Sequence, residues 1–164
     1  MAIEYSASGT TKKYSASEAF AKISHYCAYQ ERSHKEVRNK LYGYGLHQGD
    51  VEKLLTRLIT DGFLNEERYA KAFAGGKFRI KQWGRVRIKY ELKKKQVSEY
   101  CIRKALATID VGDYRKTLKK LSDTKAKTLT NEKNPITRKK KLQHYLLQKG
   151  FEKDLIIQIT DTGY

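Results

Sequence analysis

At 164 residues, with 35 Lys and Arg against 18 Asp and Glu, the chain carries a formal net charge of +17. A surplus that large points to a polyanionic partner: DNA, RNA, an acidic protein face or anionic lipid. No apolar run approaches the roughly 20 residues of a bilayer span. The N-terminal stretch has no apolar leader core, and Cys27 and Cys101 are too few for a disulfide scaffold or a metal site. A reduced, cytoplasmic chain without membrane association is expected.

Proline occurs once, and strict apolar alternation is absent, so the periodic segments read as helices throughout. Residues 1–13 are small and polar, a disordered lead-in. Ser15 and Glu18 form a capping box for a first helix, with Ala19, Phe20, Ile23, Tyr26, Cys27 and Tyr29 on its buried side. Ser33 and Glu36 repeat that box for a second helix, which carries Val37 and Leu41 and stops at Tyr42-Gly43-Tyr44-Gly45. A third helix starts at His47–Asp50, buries Val51, Leu54, Leu55, Leu58 and Ile59, and closes at Asp61-Gly62. Asn65-Glu66-Glu67 opens a fourth, with Tyr69, Ala70, Phe73 and Ala74 in register, and Gly75-Gly76 interrupts it with a kink or a close approach. Trp83–Val97 is a basic amphipathic helix with Ile88 and Leu92 stacked one turn apart. Another helix carries Ile102, Ala105, Leu106 and Ile109. After a break at Asp110–Asp113, a lysine-rich helix runs from Tyr114 through Leu118 and Leu121 and fades before Pro135. The last helical segment spans Thr137 to about Asp161.

The pattern repeats. Aligning Leu41, Leu92 and Leu146 puts Val37, Ile88 and Leu142 four residues earlier, and Leu46, Val97 and Phe151 five later. Val51, Ile102 and Ile156 stand ten later; Leu54, Ala105 and Ile159 stand thirteen later. The chain is therefore expected to be all-α: three tandem three-helix repeats, at 14–62, 63–111 and 112–164, stacked into an elongated, curved, solenoid-like body.

Chemistry of the catalytic kind is not indicated. His25, His34, His47 and His144 lack a metal-site spacing, and Glu66-Glu67 suits the positive end of a helix dipole. Gly43-x-Gly45 and Gly75-Gly76 are not followed by the Gly-Lys-Ser/Thr of a phosphate loop. No enzyme, metal or cofactor is expected. The candidate function lies in charge. Between Lys77 and Lys95, Lys77, Arg79, Lys81, Arg85, Arg87, Lys89, Lys93 and Lys94 surround Tyr90, and Glu91 is the sole acid. Arg138, Lys139, Lys140 and Lys141 form a second cluster in repeat three, and Arg38 with Lys40 a weaker one in repeat one. A basic stripe along the stacked repeats, with an aromatic able to pack on a base, suits a filament groove better than a point site.

The strings Tyr26–Ser33 and Glu36–Leu41 resemble the first repeat of the RecX regulatory proteins; Asp61–Ala70 and Gly84–Lys93 resemble the second. The likeness runs from about Ser15 to Asp161. It implies a monomeric bacterial modulator of RecA in DNA repair, recombination and the SOS response. Such a modulator binds the RecA–DNA filament and limits strand exchange and co-protease activity, so RecA filaments and single- or double-stranded DNA are the implied partners. Two departures stand out: Gln96 where the family pattern has glycine, and an insert at Asn131–Pro135 in repeat three. From the residues alone, a basic helical protein acting on nucleic acid without a recombinase remains the second reading, and a scaffold for an acidic protein the third.

Overall fold

A computed structural model describes residues 13–163. The expected lead-in, apart from Lys13, lies outside the described residues. Among the described residues there are nine α-helices and no strand: α1 (Ala16–Tyr29), α2 (His34–Gly43), α3 (Gln48–Thr60), α4 (Glu66–Lys81), α5 (Arg85–Lys94), α6 (Glu99–Ala107), α7 (Val111–Thr128), α8 (Pro135–Lys149) and α9 (Lys153–Gly163). The chain parts into two compact units between Asn65 and Glu66.

In the first unit, α1 and α2 each start with the complete capping box written in the sequence. Ser15 Oγ accepts from Glu18 N and Ser33 Oγ from Glu36 N, while each Glu carboxylate accepts from the cap residue's own N–H. α1 to α3 close around Ala19, Ile23, Val37, Leu41, Val51, Leu54, Leu55 and Leu58. Two residues assigned to the buried side face water instead: Tyr29, 80% exposed at the end of α1, and Ile59, 45% exposed. Both lie in the last turn of their helix. Tyr29, two residues past the buried Cys27, is turned by helical phase to the face opposite Ala19, Ile23 and Cys27. Burial pushes the Cys27 thiol up to about 11.

In the second unit, α4 to α9 share one apolar cluster running from Tyr69 to Ile156. Here two sets of three helices cover one another in a single cluster, whereas the three helices of the first unit have a cluster of their own. α4 continues through Gly75 and Gly76 without a break. The basic run from Lys77 to Lys95 spans two helices, since Gln82 takes a left-handed φ of 54° just past the end of α4. The helix expected at Trp83–Val97 is Arg85–Lys94. α7 begins earlier than expected, at Val111, because the Asp110 side chain caps it at 2.8 Å from Asp113 N. α8 likewise begins at Pro135, with Asn134 as cap and proline in the first turn, where its missing N–H costs nothing.

The anchors Leu41, Leu92 and Leu146 are all fully buried, and so are Val37 and Ile88 before them. Four residues after each anchor the backbone is left-handed: Gly45 at φ 82°, Gln96 at 59° and Gly150 at 90°. Gln96 thus makes the turn that glycine makes in the other repeats. Its N–H donates to Lys93 O and Val97 N–H to Leu92 O, the same pair of bonds that Gly150 and Phe151 make to Leu147 and Leu146.

The two halves of this unit meet backbone to backbone. α5 has no side-chain cap. Its first donors go instead to the carbonyls at the end of α8: Gly84 N to Lys149 O at 2.8 Å and Val86 N to Gly150 O at 3.0 Å. Arg85 N donates to the Tyr114 hydroxyl at 2.9 Å, and that hydroxyl donates to Glu152 at 2.6 Å. A Cβ on Gly84 would overlap the Gly150 carbonyl, and one on Gly150 would overlap Arg87.

Three outcomes follow for unfolding by denaturant. Leu92→Ala lowers stability by about 2–5 kcal/mol, as a buried anchor should; a value near zero would contradict the repeat register. Gln96→Gly raises stability by up to about 1 kcal/mol by relieving the left-handed side chain. Gly150→Ala loses about 1–3 kcal/mol from the backbone alone, with the clash against Arg87 added. The Cys27 thiol adds a pH signature. A folded-state value raised above the ordinary 9 contributes stability present below pH 9 and lost as pH rises through about 11. Cys27→Ala removes that slope.

Candidate nucleic-acid interface

The fourteen cations singled out by charge, with Tyr90 set apart, fall into two groups once their partners are known. Several are held in internal bridges. Arg38 donates to Glu52 at 2.9 Å, joining α2 to α3. Lys89 and Lys93 converge on Glu99 at 2.6 and 3.3 Å, joining α5 to α6. Arg38 and Lys89 both stand three residues before their anchor leucines, and the third repeat has Gln143 there, donating to Thr160 of α9 at 2.9 Å. That position is a bridge from the middle helix to the last helix of each repeat. Arg85 lies over the Tyr114 ring at 4.0 Å and pairs with Glu152 at 3.6 Å. Lys94 pairs with Glu91 at 3.6 Å, Lys141 with Glu132 at 2.6 Å, and Lys139 with Asp161.

The remaining cations have no carboxylate partner among the described residues, and several of them lie beside rings. Lys77 and Arg87 approach the half-buried Trp83 ring at 5.1 and 4.2 Å. Arg87 also donates to Gln148 O at 3.1 Å, which fixes it to the end of α8. Lys149 reaches Lys81 O at 3.4 Å and stands 5.9 Å from the Tyr145 ring, with Lys125 5.3 Å from the same ring. Tyr145 floors a groove of about 400 Å³ whose walls include Lys125, Lys140 and Lys141. Within the second unit a track therefore runs from Lys77 past Trp83, Arg87, Lys81 and Lys149 to Tyr145, Lys125 and Lys140. Arg79 and Arg138 are exposed, the former with its guanidinium folded against Gly75. Tyr90 is 61% exposed, with Lys94 Nζ 5.3 Å from its ring. In the first unit Lys40 is exposed and lies between the Tyr26 and Tyr44 rings, at 5.4 and 5.9 Å.

Charge counting found Lys77, Lys81, Arg87 and Lys140 but missed Lys149, Lys125, Trp83 and Tyr145. Trp83 meets Lys77 and Arg87 close by in sequence, whereas Lys149, Lys125 and Tyr145 join the track through tertiary contact. One signal was available: Tyr145 and Lys149 are four apart, on one helical face. Among the described residues no group of His, Cys, Asp and Glu could hold a metal ion, and no helix is long and apolar enough to cross a membrane.

Residues 19–58 match the family model for the first three-helix domain of RecX, and residues 65–106 match the model for the second. The regulatory protein RecX of Prosthecochloris aestuarii is 30% identical over 138 residues, 83% of this chain and 87% of that protein. This chain belongs to the RecX family. The RecX protein of Clostridium perfringens strain 13 is 31% identical over 138 residues, which cover 81% of this chain and 64% of that longer relative. The crystal structure of RecX from Lactobacillus salivarius superposes with a TM-score of 0.80 at 24% identity, over 89% of this chain and 94% of that one. A second RecX crystal structure gives 0.78 at 23% identity, over 89% and 73%. The RecX fold is thus common to chains of quite different sequence.

The ion pairs give a titration that checks the sorting of bridging cations from free ones. Lys89, and then Lys93, hold the Glu99 carboxyl below its ordinary 4.5. Its contribution to stability is present above that value and lost as pH falls through the depressed one. Carbon-detected NMR should place the Glu99 midpoint below 4.5, and Lys89→Met should move it back up. An unchanged midpoint in that variant would mean Lys89 is free in solution.

Proposed function

We propose that this chain is a cytoplasmic, monomeric regulator that binds the RecA–DNA filament and restrains RecA's recombinase and co-protease activities. Membership of the RecX family supports the regulatory reading, and the likeness of its repeats to those of RecA modulators supplies the target. The observation that carries the contact is the track from Lys77 to Lys140, where cations without carboxylate partners alternate with aromatic rings. Such a surface takes up phosphates by counterion release and has ring faces for bases or partner side chains. The division into three modules at 14–62, 63–111 and 112–164 belongs to the same proposal, each module offering cations from its middle helix.

One observation favours a second reading, a nucleic-acid-binding protein that acts without a recombinase: Trp83, Tyr90 and Tyr145 sit beside cations in positions that unpaired bases could use directly. Competition between naked and RecA-coated single strands separates the two. Preference for the coated strand, with inhibition of RecA ATPase and strand exchange, supports the first. Equal binding with both RecA activities unchanged at low salt discards it. Changing Lys81, Lys125, Lys140 and Lys149 together to Gln should lower the slope of log affinity against log salt by up to about 3, since each phosphate contact on a single strand contributes about 0.7. The thermal transition should stay where it is. A slope unchanged in that variant would remove the track from the interface.

A further inference from the structure

We propose that the first unit carries a base-stacking site of its own: a tyrosine groove on α1 and the end of α2 that takes unpaired bases of a single-stranded nucleic acid while flanking lysines take the phosphates. It rests on the nucleic-acid half of the reading above and not on the recombinase. The groove encloses about 690 Å³ and is lined by Tyr14, Tyr26, Tyr29 and Tyr44 together with Lys22 and Lys40. Lys22, Tyr26 and Tyr29 are spaced four and three apart, so they share one outward face of α1. The opposite wall is fixed by a backbone bond from Tyr14 N to Tyr44 O at 3.1 Å and by the edge-on contact of those two rings at 5.2 Å. Lys22 Nζ stands 5.1 Å from the Tyr14 ring, and Lys40 Nζ lies between Tyr26 and Tyr44. Behind Tyr26 the Arg32 guanidinium lies 3.8 Å from the ring centre, holding that ring in place.

Tyr29 decides the case. It is 80% exposed and makes no hydrogen bond or ring contact among the described residues, so packing does not account for its place. No carboxylate lines the groove. An acidic peptide would be served by the lysines alone, whereas four rings in one groove suit a ligand that brings a π face with each negative charge. Single-stranded nucleic acid does so, and stacking of this kind tolerates any base sequence. Duplex DNA keeps its bases paired and offers only its phosphates.

The test uses the full chain at low salt, without RecA, and reads fluorescence anisotropy of a labelled oligothymidylate. Tyr29→Ala should bind about tenfold more weakly, at the low end of stacking on one ring, while Tyr29→Trp keeps the parent affinity. Duplex DNA of equal length and a strand of abasic sites should bind parent and Tyr29→Ala alike. If Tyr29→Ala binds oligothymidylate as the parent does, the site is wrong. If it weakens duplex and abasic strand to the same degree, the groove contributes charge only, and stacking is wrong. A preference of the groove for acidic peptide over oligothymidylate would also overturn the assignment. Because every arm omits RecA, the filament reading can fail while this result stands, and the reverse.

Discussion

The second unit depends on the end of one helix being capped by the end of another. α5 opens with Gly84-Arg85-Val86-Arg87, which offers no side-chain acceptor and places two cations at the positive pole of the helix dipole. Alone, such a start would leave donors unsatisfied and charges repelled. The end of α8 resolves both problems, since it presents carbonyls at its negative pole. Gln148, Lys149 and Gly150 carbonyls accept from the Arg87 guanidinium, Gly84 N and Val86 N respectively. The contact demands two glycines facing each other, because a methyl on either would enter the other backbone or Arg87. Tyr114 completes it, its hydroxyl taking the Arg85 N–H and passing its own proton toward Glu152, its ring between Phe78 and Phe151. Burial and the Glu152 carboxylate push that phenol well above its ordinary value, so it remains a neutral donor throughout the physiological range.

This junction decides which cations are available to a partner. Arg85 is spent on it, and Arg87 is pinned against Trp83 and α8, so that its exposed edge has a fixed direction. Lys149 is brought beside Lys81 by the same approach of α8 to α5. Exposed ion pairs stabilise little, so the bridges at Arg38 and Lys89 are better understood as positional. They tie each middle helix to the helix after it, as the uncharged Gln143–Thr160 pair does in the third repeat. A net charge of +17 therefore overstates the field: part of it is answered inside each repeat, and part of the remainder, Lys40, Lys77 and Arg87 among it, lies near rings.

What could be read in the sequence was what neighbouring residues decide. Both capping boxes, the buried columns around Leu41, Leu92 and Leu146, and the all-helical class are local matters of period and hydroxyl placement. The starts of α7 and α8 were misplaced because Asp110 and Asn134 were read as parts of breaks rather than as caps. Tyr29 was placed inside against the helical phase of Ala19, Ile23 and Cys27, which turns it outward. Ile59 sits beside the fully buried Leu58 in the last turn of α3 yet stays 45% exposed. Gln96 looked like a defect in the turn, yet the two bonds that close the turn are formed and hold a side chain in the left-handed region. Of the Trp83–Lys149–Tyr145 track, only the four-residue spacing of Tyr145 and Lys149 was legible; its joining to Lys81 and Trp83 depends on the end of α8 meeting Gly84.

The exposed rings carry the last step. A large aromatic in water is a cost that packing ordinarily removes, and this chain leaves Tyr29, Tyr90 and Tyr100 more than half exposed. Tyr90 and Tyr100 each have a lysine from the next turn of their own helix within 5.6 Å of the ring, Lys94 and Lys104. A lysine over a tyrosine gains about 0.5–1 kcal/mol at an exposed site, too little to fix either side chain firmly. At Tyr90 the same lysine is also paired with Glu91, so the ring is not the sole contact of that ammonium. Charge and π surface stand together at the same spots, which supports the proposed nucleic-acid partner. An acidic protein surface would engage the lysines but not the rings, and for that reason nucleic acid is proposed over an acidic protein.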